Sequence, residues 1–138
     1  LGTLHYKVPC ISFHLNNIEL MTRKNSFNLT NAEAQMRKGS LEFTILLIIS
    51  QGEIYASDII KELKALDLIV VEGTLYPILS RLNRSGLLNY SWVESESGPP
   101  RKYYTLTPAG REALDHMTQV WEGISNSIRQ LIDNYKAV

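Results

Sequence analysis

A mainly α chain with one small β-hairpin is what this sequence predicts, on three observations. Helical patterns follow one another between short connectors; two β-rich stretches flank the turn-forming cluster Ser95-Glu-Ser-Gly-Pro-Pro100; and a long apolar stripe closes the chain. The 138 residues suit one compact domain with a modest core.

Residues 29–38 favour helix, with Thr30 or Asn31 as the cap, and read as a short arm helix ended by Gly39 and Ser40. Residues 41–50 are apolar on nearly every side, as a helix in the middle of a core must be. From Tyr55 to Leu66, Ile59, Ile60, Leu63 and Leu66 recur at helical spacing, and Ser57 or Asp58 can cap this second helix. A third helix is read from Gly73 to Ser85, with Leu75, Ile78, Leu79 and Leu82 on one side and Gly86 as terminator. Because Pro77 has no amide hydrogen, that helix should begin near Glu72 to Thr74. Leu87 to Glu94 and Arg101 to Leu106 supply the two strands. Thr107-Pro108, a cap followed by proline at the first helical position, opens a helix that runs to the C-terminus.

Composition narrows the function. Lys and Arg total 14, as do Asp and Glu, so there is no global positive field, and nucleic-acid binding has to come from a local arrangement. Residues 21–40 are locally cationic, with Arg23, Lys24, Arg37 and Lys38 against Glu33. The single cysteine, Cys10, leaves no intramolecular disulfide and favours a reducing cytoplasm. No apolar run reaches the roughly 18 residues of a membrane span. Lys7, Pro9, His14 and Asn16 interrupt any secretory signal, and Met21 makes a plausible start, so residues 1–20 read as a leader or upstream translation. Enzymatic readings fare poorly: His5, His14 and His116 are scattered, no glycine-rich phosphate loop exists, and no nucleophile has an evident base. No cofactor is expected, and a metal site from His5, Cys10 and His14 would need residues 1–20 to be native and ordered.

Three helices and a hairpin within about 65 residues follow the order of a winged helix-turn-helix, whose third helix enters the major groove while the hairpin touches the flanking backbone. At 100° per residue the four apolar side chains of the third helix share an arc of about 100°, and Thr74, Tyr76, Pro77, Ser80, Arg81 and Arg84 occupy the other side. Arginine can bond guanine O6 and N7 together, and hydroxyls can reach phosphates or bases. A solvated polar face is the competing reading. Arg101 and Lys102, directly after the turn where a wing meets phosphates, weigh against it, whereas Glu94 and Glu96 count the other way.

From Gln35 to Leu131 the chain closely resembles the PadR family of bacterial regulators. The resemblance is carried by Gln35-Met-Arg-Lys-Gly39, by Gly73-Thr-Leu-Tyr-Pro77 with Arg81-Leu82 and Gly86-Leu87, and by Gly98-Pro-Pro-Arg-Lys-Tyr-Tyr-Thr-Leu-Thr107 with Gly110-Arg111. Ala56 departs from it, standing after Tyr55 where the family has glycine. The resemblance implies a dimeric winged-helix protein, usually a repressor, that meets double-stranded operator DNA through helix three and the wing. By position it carries DNA contact to Tyr55, Thr74, Tyr76, Arg81, Arg101 and Lys102; Arg84 joins them from the helical face.

The last helix argues for a dimer independently. Leu114, Met117, Trp121, Ile124, Ile128, Leu131 and Tyr135 alternate three and four apart, and at about eight turns the helix outruns so small a core. Leu41 and Ile45 on helix one, with the N-terminal arm, are expected to join that interface. Trp121 sits mid-seam, where a flat indole implies a cavity or a stacked partner. Similarity to the short LmrR-like subgroup implies that it stacks a small planar aromatic effector, against the plainer reading of a core aromatic. Trp92, on the first wing strand, reads as a packing residue. The expected organisation is an N-terminal extension and arm helix (1–36), a winged helix-turn-helix (37–106) and a C-terminal dimerisation helix (107–138). A protein-interaction module on the same scaffold, without DNA binding, is the alternative that zero net charge leaves open.

Overall fold

The computed structural model describes residues 28–68 and 70–138; the readings made for residues 1–20 lie outside them. The described elements are α1 (Leu29–Ile49), β1 (Ile54–Tyr55), α2 (Ala56–Ala65), α3 (Glu72–Arg84), β2 (Leu88–Ser95), β3 (Gly98–Leu106) and α4 (Pro108–Lys136). This is the winged helix expected, with its long closing helix.

The separate arm and core helices expected around Gly39 are one helix. A glycine in a helix interior costs only about 1 kcal/mol against alanine. The burial of Leu41, Phe43, Ile45, Leu46, Ile48 and Ile49 just beyond it outweighs that loss. The helix is capped two or three residues earlier than expected, by Asn28, whose Oδ1 accepts the Asn31 amide at 2.9 Å.

Tyr55 belongs to a strand and not to α2. Ile54 pairs with Tyr104 and Tyr55 with Tyr103, so the expected hairpin gains a third strand in the order β1-β3-β2. Tyr55 then stands at the N-cap of α2 with no side-chain cap bond, and neither Ser57 nor Asp58 caps. Asp58 instead lies in the first turn, where a carboxylate favours the helix dipole, and accepts Lys61 Nζ at 2.7 Å.

Pro77 falls in the second turn of α3, where its missing donor would have met the Gly73 carbonyl. Gly73 is exposed, so no buried polar group is stranded. The hairpin is longer than expected, with strand pairing out to Ser95 and Gly98. Pro99 and Pro100 are tolerated in β3 because β1 covers only Tyr103 and Tyr104, leaving the outer end of β3 an edge on that side.

One apolar core gathers all four helices and the base of the wing. Ile45, Leu46 and Ile49 of α1 meet Ile59 and Leu63 of α2, Leu75 and Leu79 of α3, Leu88 of β2, Tyr104 of β3 and Leu114 of α4. The expected role of Leu41 and Ile45 at a subunit interface is therefore corrected. Ile45 is 0% exposed within the single chain and Leu41 is buried as well, so both side chains are already spent on this core.

The joint between wing and α4 is tight. Thr107 Oγ1 donates to the Gly86 carbonyl at 2.6 Å and accepts the Gly110 amide at 2.9 Å, while the Thr107 amide donates to the Leu87 carbonyl at 3.1 Å. Gly86, at φ 75°, takes the left-handed turn that ends α3. Gly110 is glycine for a steric reason, because a Cβ there would stand 2.0 Å from the Leu87 carbonyl oxygen. Gly110→Ala is expected to destabilise the protein by about 3 kcal/mol or more, since backbone has to move. Gly123→Ala, mid-helix with nothing within 4 Å, is expected to stabilise by about 0.5–1 kcal/mol. Urea unfolding of both variants checks the pair; equal stabilities would contradict the tight joint.

Candidate nucleic-acid interface

Helix α3 has three kinds of surface. Leu75, Leu79 and Leu82 face the core. Diametrically opposite, Gly73, Pro77, Ser80 and Arg84 form an exposed crest. Thr74 and Arg81 lie on one flank and Tyr76 on the other, all three exposed. Of the predicted contacts on this helix, Arg84 thus sits on the crest, whereas Arg81 leans towards α1 and forms an ion pair with Glu42. Glu42 gives no signal in the sequence: it reads as one polar position in an apolar run, and its partner lies two helices further along the chain.

The opposite flank turns towards the sheet. Asn83 Nδ2 donates to the Leu88 carbonyl at 2.7 Å. The Tyr76 phenol is held above its ordinary value, first by burial and then by the nearby charges of Glu72 and Tyr55. Tyr104, in the core beneath, is raised in the same direction by burial, then by Tyr76 and Tyr90.

On the wing, side chains alternate between the two faces of the ribbon. Arg101 shares a face with Tyr103 and Tyr55, and its guanidinium lies 5.3 Å from the Tyr55 ring centroid, with the two tyrosine rings 5.8 Å apart. Lys102 points the other way, 3.9 Å above Tyr90 and 5.3 Å from Trp92. The structure therefore brings Tyr55 and Arg101 together but places Arg101 and Lys102 on opposite faces. Each cation is steadied by an aromatic ring, worth about 0.5–1 kcal/mol at an exposed site. Trp92 is corrected from a packing residue: it is 63% exposed, edge-on to Tyr90, and helps hold Lys102. Tyr90 is silent in the sequence because its role depends on the cross-strand register.

Along α4, Leu114 is buried in the chain's own core and Met117 packs against it. The exposed apolar stripe begins beyond them: Trp121, Ile124 and Ile128 are 47%, 50% and 48% exposed, followed by Leu131 and Tyr135. The Trp121 ring lies 5.9 Å from that of Phe43 on α1. An open hollow of about 450 Å³ beside the start of α4 is lined by Leu106, Thr107, Pro108, Arg111, Glu112 and Asp115, and Trp121 is not among its walls. Among the described residues no acidic, histidine or cysteine cluster could hold a metal ion, and no helix is long and apolar enough to cross a membrane.

The model of the PadR-like family of transcriptional regulators matches residues 45–116. A PadR-like transcription factor from Bacteroides fragilis is 50% identical, the match covering 73% of this chain and 98% of that one with a TM-score of 0.62. The transcriptional regulator Rv3488 of Mycobacterium tuberculosis is 34% identical over 79 residues, 57% of this chain and 73% of that protein. Bacillus subtilis PadR, solved in complex with operator DNA, is 25% identical with a TM-score of 0.53, over 56% of this chain and 46% of that one. The chain belongs to the PadR-like family of transcriptional regulators.

The raised phenols give a pH prediction. Burial penalises the phenolate, so the stability owed to neutral Tyr76 and Tyr104 is fully present below the ordinary tyrosine value of 10.0. It is lost as pH rises through their higher folded values. Alkaline titration followed by tyrosinate absorbance is expected to show a part of the signal ionising above the ordinary tyrosine value, with unfolding made easier over the same range. Tyr104→Phe should reduce that alkaline loss; an unchanged pH dependence would contradict the assignment.

Proposed function

We propose that the protein is a sequence-specific transcriptional repressor that binds a pseudo-palindromic operator as a homodimer and responds to a small planar aromatic ligand. Residues 37–106 are the DNA-binding unit, 107–138 the dimerisation helix, and 1–36 an extension. The observation that carries this reading is the division of α3: its leucines fill the core while Thr74, Tyr76, Ser80, Arg81 and Arg84 are left exposed beside a wing bearing Arg101 and Lys102. The operator complex of Bacillus subtilis PadR supports it. In this reading α3 enters the major groove, Arg84 and Arg81 reach base edges, and Tyr55 and the wing cations meet phosphates. Binding as a dimer doubles the surface applied to the duplex and places the half-sites about one helical turn apart.

The exposed apolar stripe of α4 supports the dimer. The spacing of Trp121, Ile124, Ile128, Leu131 and Tyr135, all exposed in the single chain, is that of a two-stranded seam. Trp121, half exposed in the single chain, would present its indole to a flat ligand between the two subunits.

Titration of the DNA upstream of its own gene, against scrambled duplex and over a salt series, tests the function. Preferential binding is expected; no preference for any duplex would favour a protein-interaction module instead. Replacing Arg101 and Lys102 together with alanine should weaken binding to all sequences alike and lower the salt slope by roughly 0.9 for each phosphate no longer neutralised. A loss of sequence preference at constant slope would show the wing reading bases.

Ile124→Glu places two like charges across the seam, at a cost of several kcal/mol. Light scattering is expected to show monomers or aggregates, with cooperative operator binding abolished. Trp121→Ala should keep the dimer and no longer bind planar aromatic cations, seen as an absence of quenching against Trp92. Dissociation of that variant would make Trp121 structural.

A further inference from the structure

Arg81, which the proposed function sends to a base edge, is already engaged in the free protein. Its Nη2 meets Oε1 of Glu42 on α1. A carboxylate and a phosphate, or the paired acceptors of guanine, ask the same thing of a guanidinium: two acceptors set to match a planar fork. While Glu42 holds that fork, the pair carries no net charge towards an approaching duplex. The chain as a whole offers nothing to compensate, since its formal charge is zero.

The fold does not require the pair. Arg81 and Glu42 side chains are 58% and 39% exposed, and among the described residues no polar or charged side chain is buried. Water reaches both partners, so separating them strands no buried charge, and an exposed pair of this kind is weak enough to be exchanged. Its position gives it leverage, because Arg81 lies on a flank of α3 next to the crest that carries Arg84, within side-chain reach of whatever the crest meets.

We infer that Glu42 is an intramolecular competitor for Arg81, which DNA must displace before that arginine can bind it, so that Glu42 sets the operator affinity from outside the recognition helix. This rests on the reading of α3 as the DNA-recognition helix. The consequence is counterintuitive for a residue on the scaffold, because removing its charge improves binding. Glu42→Gln keeps the shape of the side chain and frees Arg81 for the duplex.

The test measures duplex affinity by fluorescence anisotropy for four proteins: wild type, Glu42→Gln, Arg81→Ala and the double variant. The duplex is the DNA upstream of the protein's own gene, or the tightest sequence selected from a random pool. Glu42→Gln is expected to bind about two- to fivefold tighter than wild type, the range released by breaking an exposed pair. Its salt slope should be steeper by up to about 0.9, the equivalent of one further phosphate neutralised. In the Arg81→Ala background the same change should have little effect, because the competitor then has nothing to hold. Equal or weaker binding by Glu42→Gln would overturn the inference, and weaker binding would show that Glu42 orients Arg81 for DNA. A gain that persists without Arg81 would also overturn it, reducing Glu42 to a general repulsive charge. Failure of wild type itself to bind any duplex would remove the recognition-helix reading instead, a result separable from all of these. Thermal melts of the four proteins should coincide closely, showing that affinity changes do not come from unfolding.

Discussion

Three helices and the base of a sheet compete for one small volume, and Ile45, Leu46 and Ile49 of α1 occupy its centre. Their burial constrains everything around them. Each neighbouring helix gives the core one stripe, so α3 is obliged to turn its polar residues outward, while α2 buries Ala56, Ile59 and Leu63 with Ile60 packed at the edge. The sheet buries Leu88 and Tyr104 at its base, with Ile54 and Leu106 packed beside them, and the outer part of the wing stays exposed. The exposed surfaces that carry the proposed function are in this sense the remainder of a packing problem whose solution is α1.

The same limit shapes α4. Gly110 and Leu114 are the residues this helix buries in the protomer, with Met117 packed beside them, although the apolar pattern continues for most of its length. In the sequence the pattern reads as a single seam, but packing divides it in two: the first turns belong to the chain itself, and the exposed stripe from Trp121 onward is what a second subunit would find.

What could be read from sequence was local or periodic. The Thr107-Pro108 start of α4, the apolar stripe of α3 and the strand-rich stretches around Ser95 to Pro100 each announce themselves within a few residues. What could not be read depended on distant partners. β1 is two residues long and exists only because Tyr103 and Tyr104 are there to pair with it. The Glu42 to Arg81 ion pair joins the first described helix to the third, and the placing of Arg101 and Lys102 on opposite faces follows from a register that no adjacent-residue pattern reveals. Gly39 misleads for a different reason: its local preference for a break is real but small beside the burial that follows it.

The close approach of Gly110 to Leu87 has a geometric consequence for a two-fold assembly. With Thr107 bonded to Gly86 and no room for even a methyl group between α4 and the chain entering β2, the recognition unit and the long helix cannot swivel at this joint. In the proposed dimer the separation of the two reading heads is then a ruler whose length is fixed by where the α4 helices cross. Sliding the seam by one heptad displaces a helix by about 10 Å along its axis, the length of some three base pairs of duplex. Half-site spacing would accordingly be encoded in the stagger of the apolar side chains between Trp121 and Tyr135, far from any residue that touches a base.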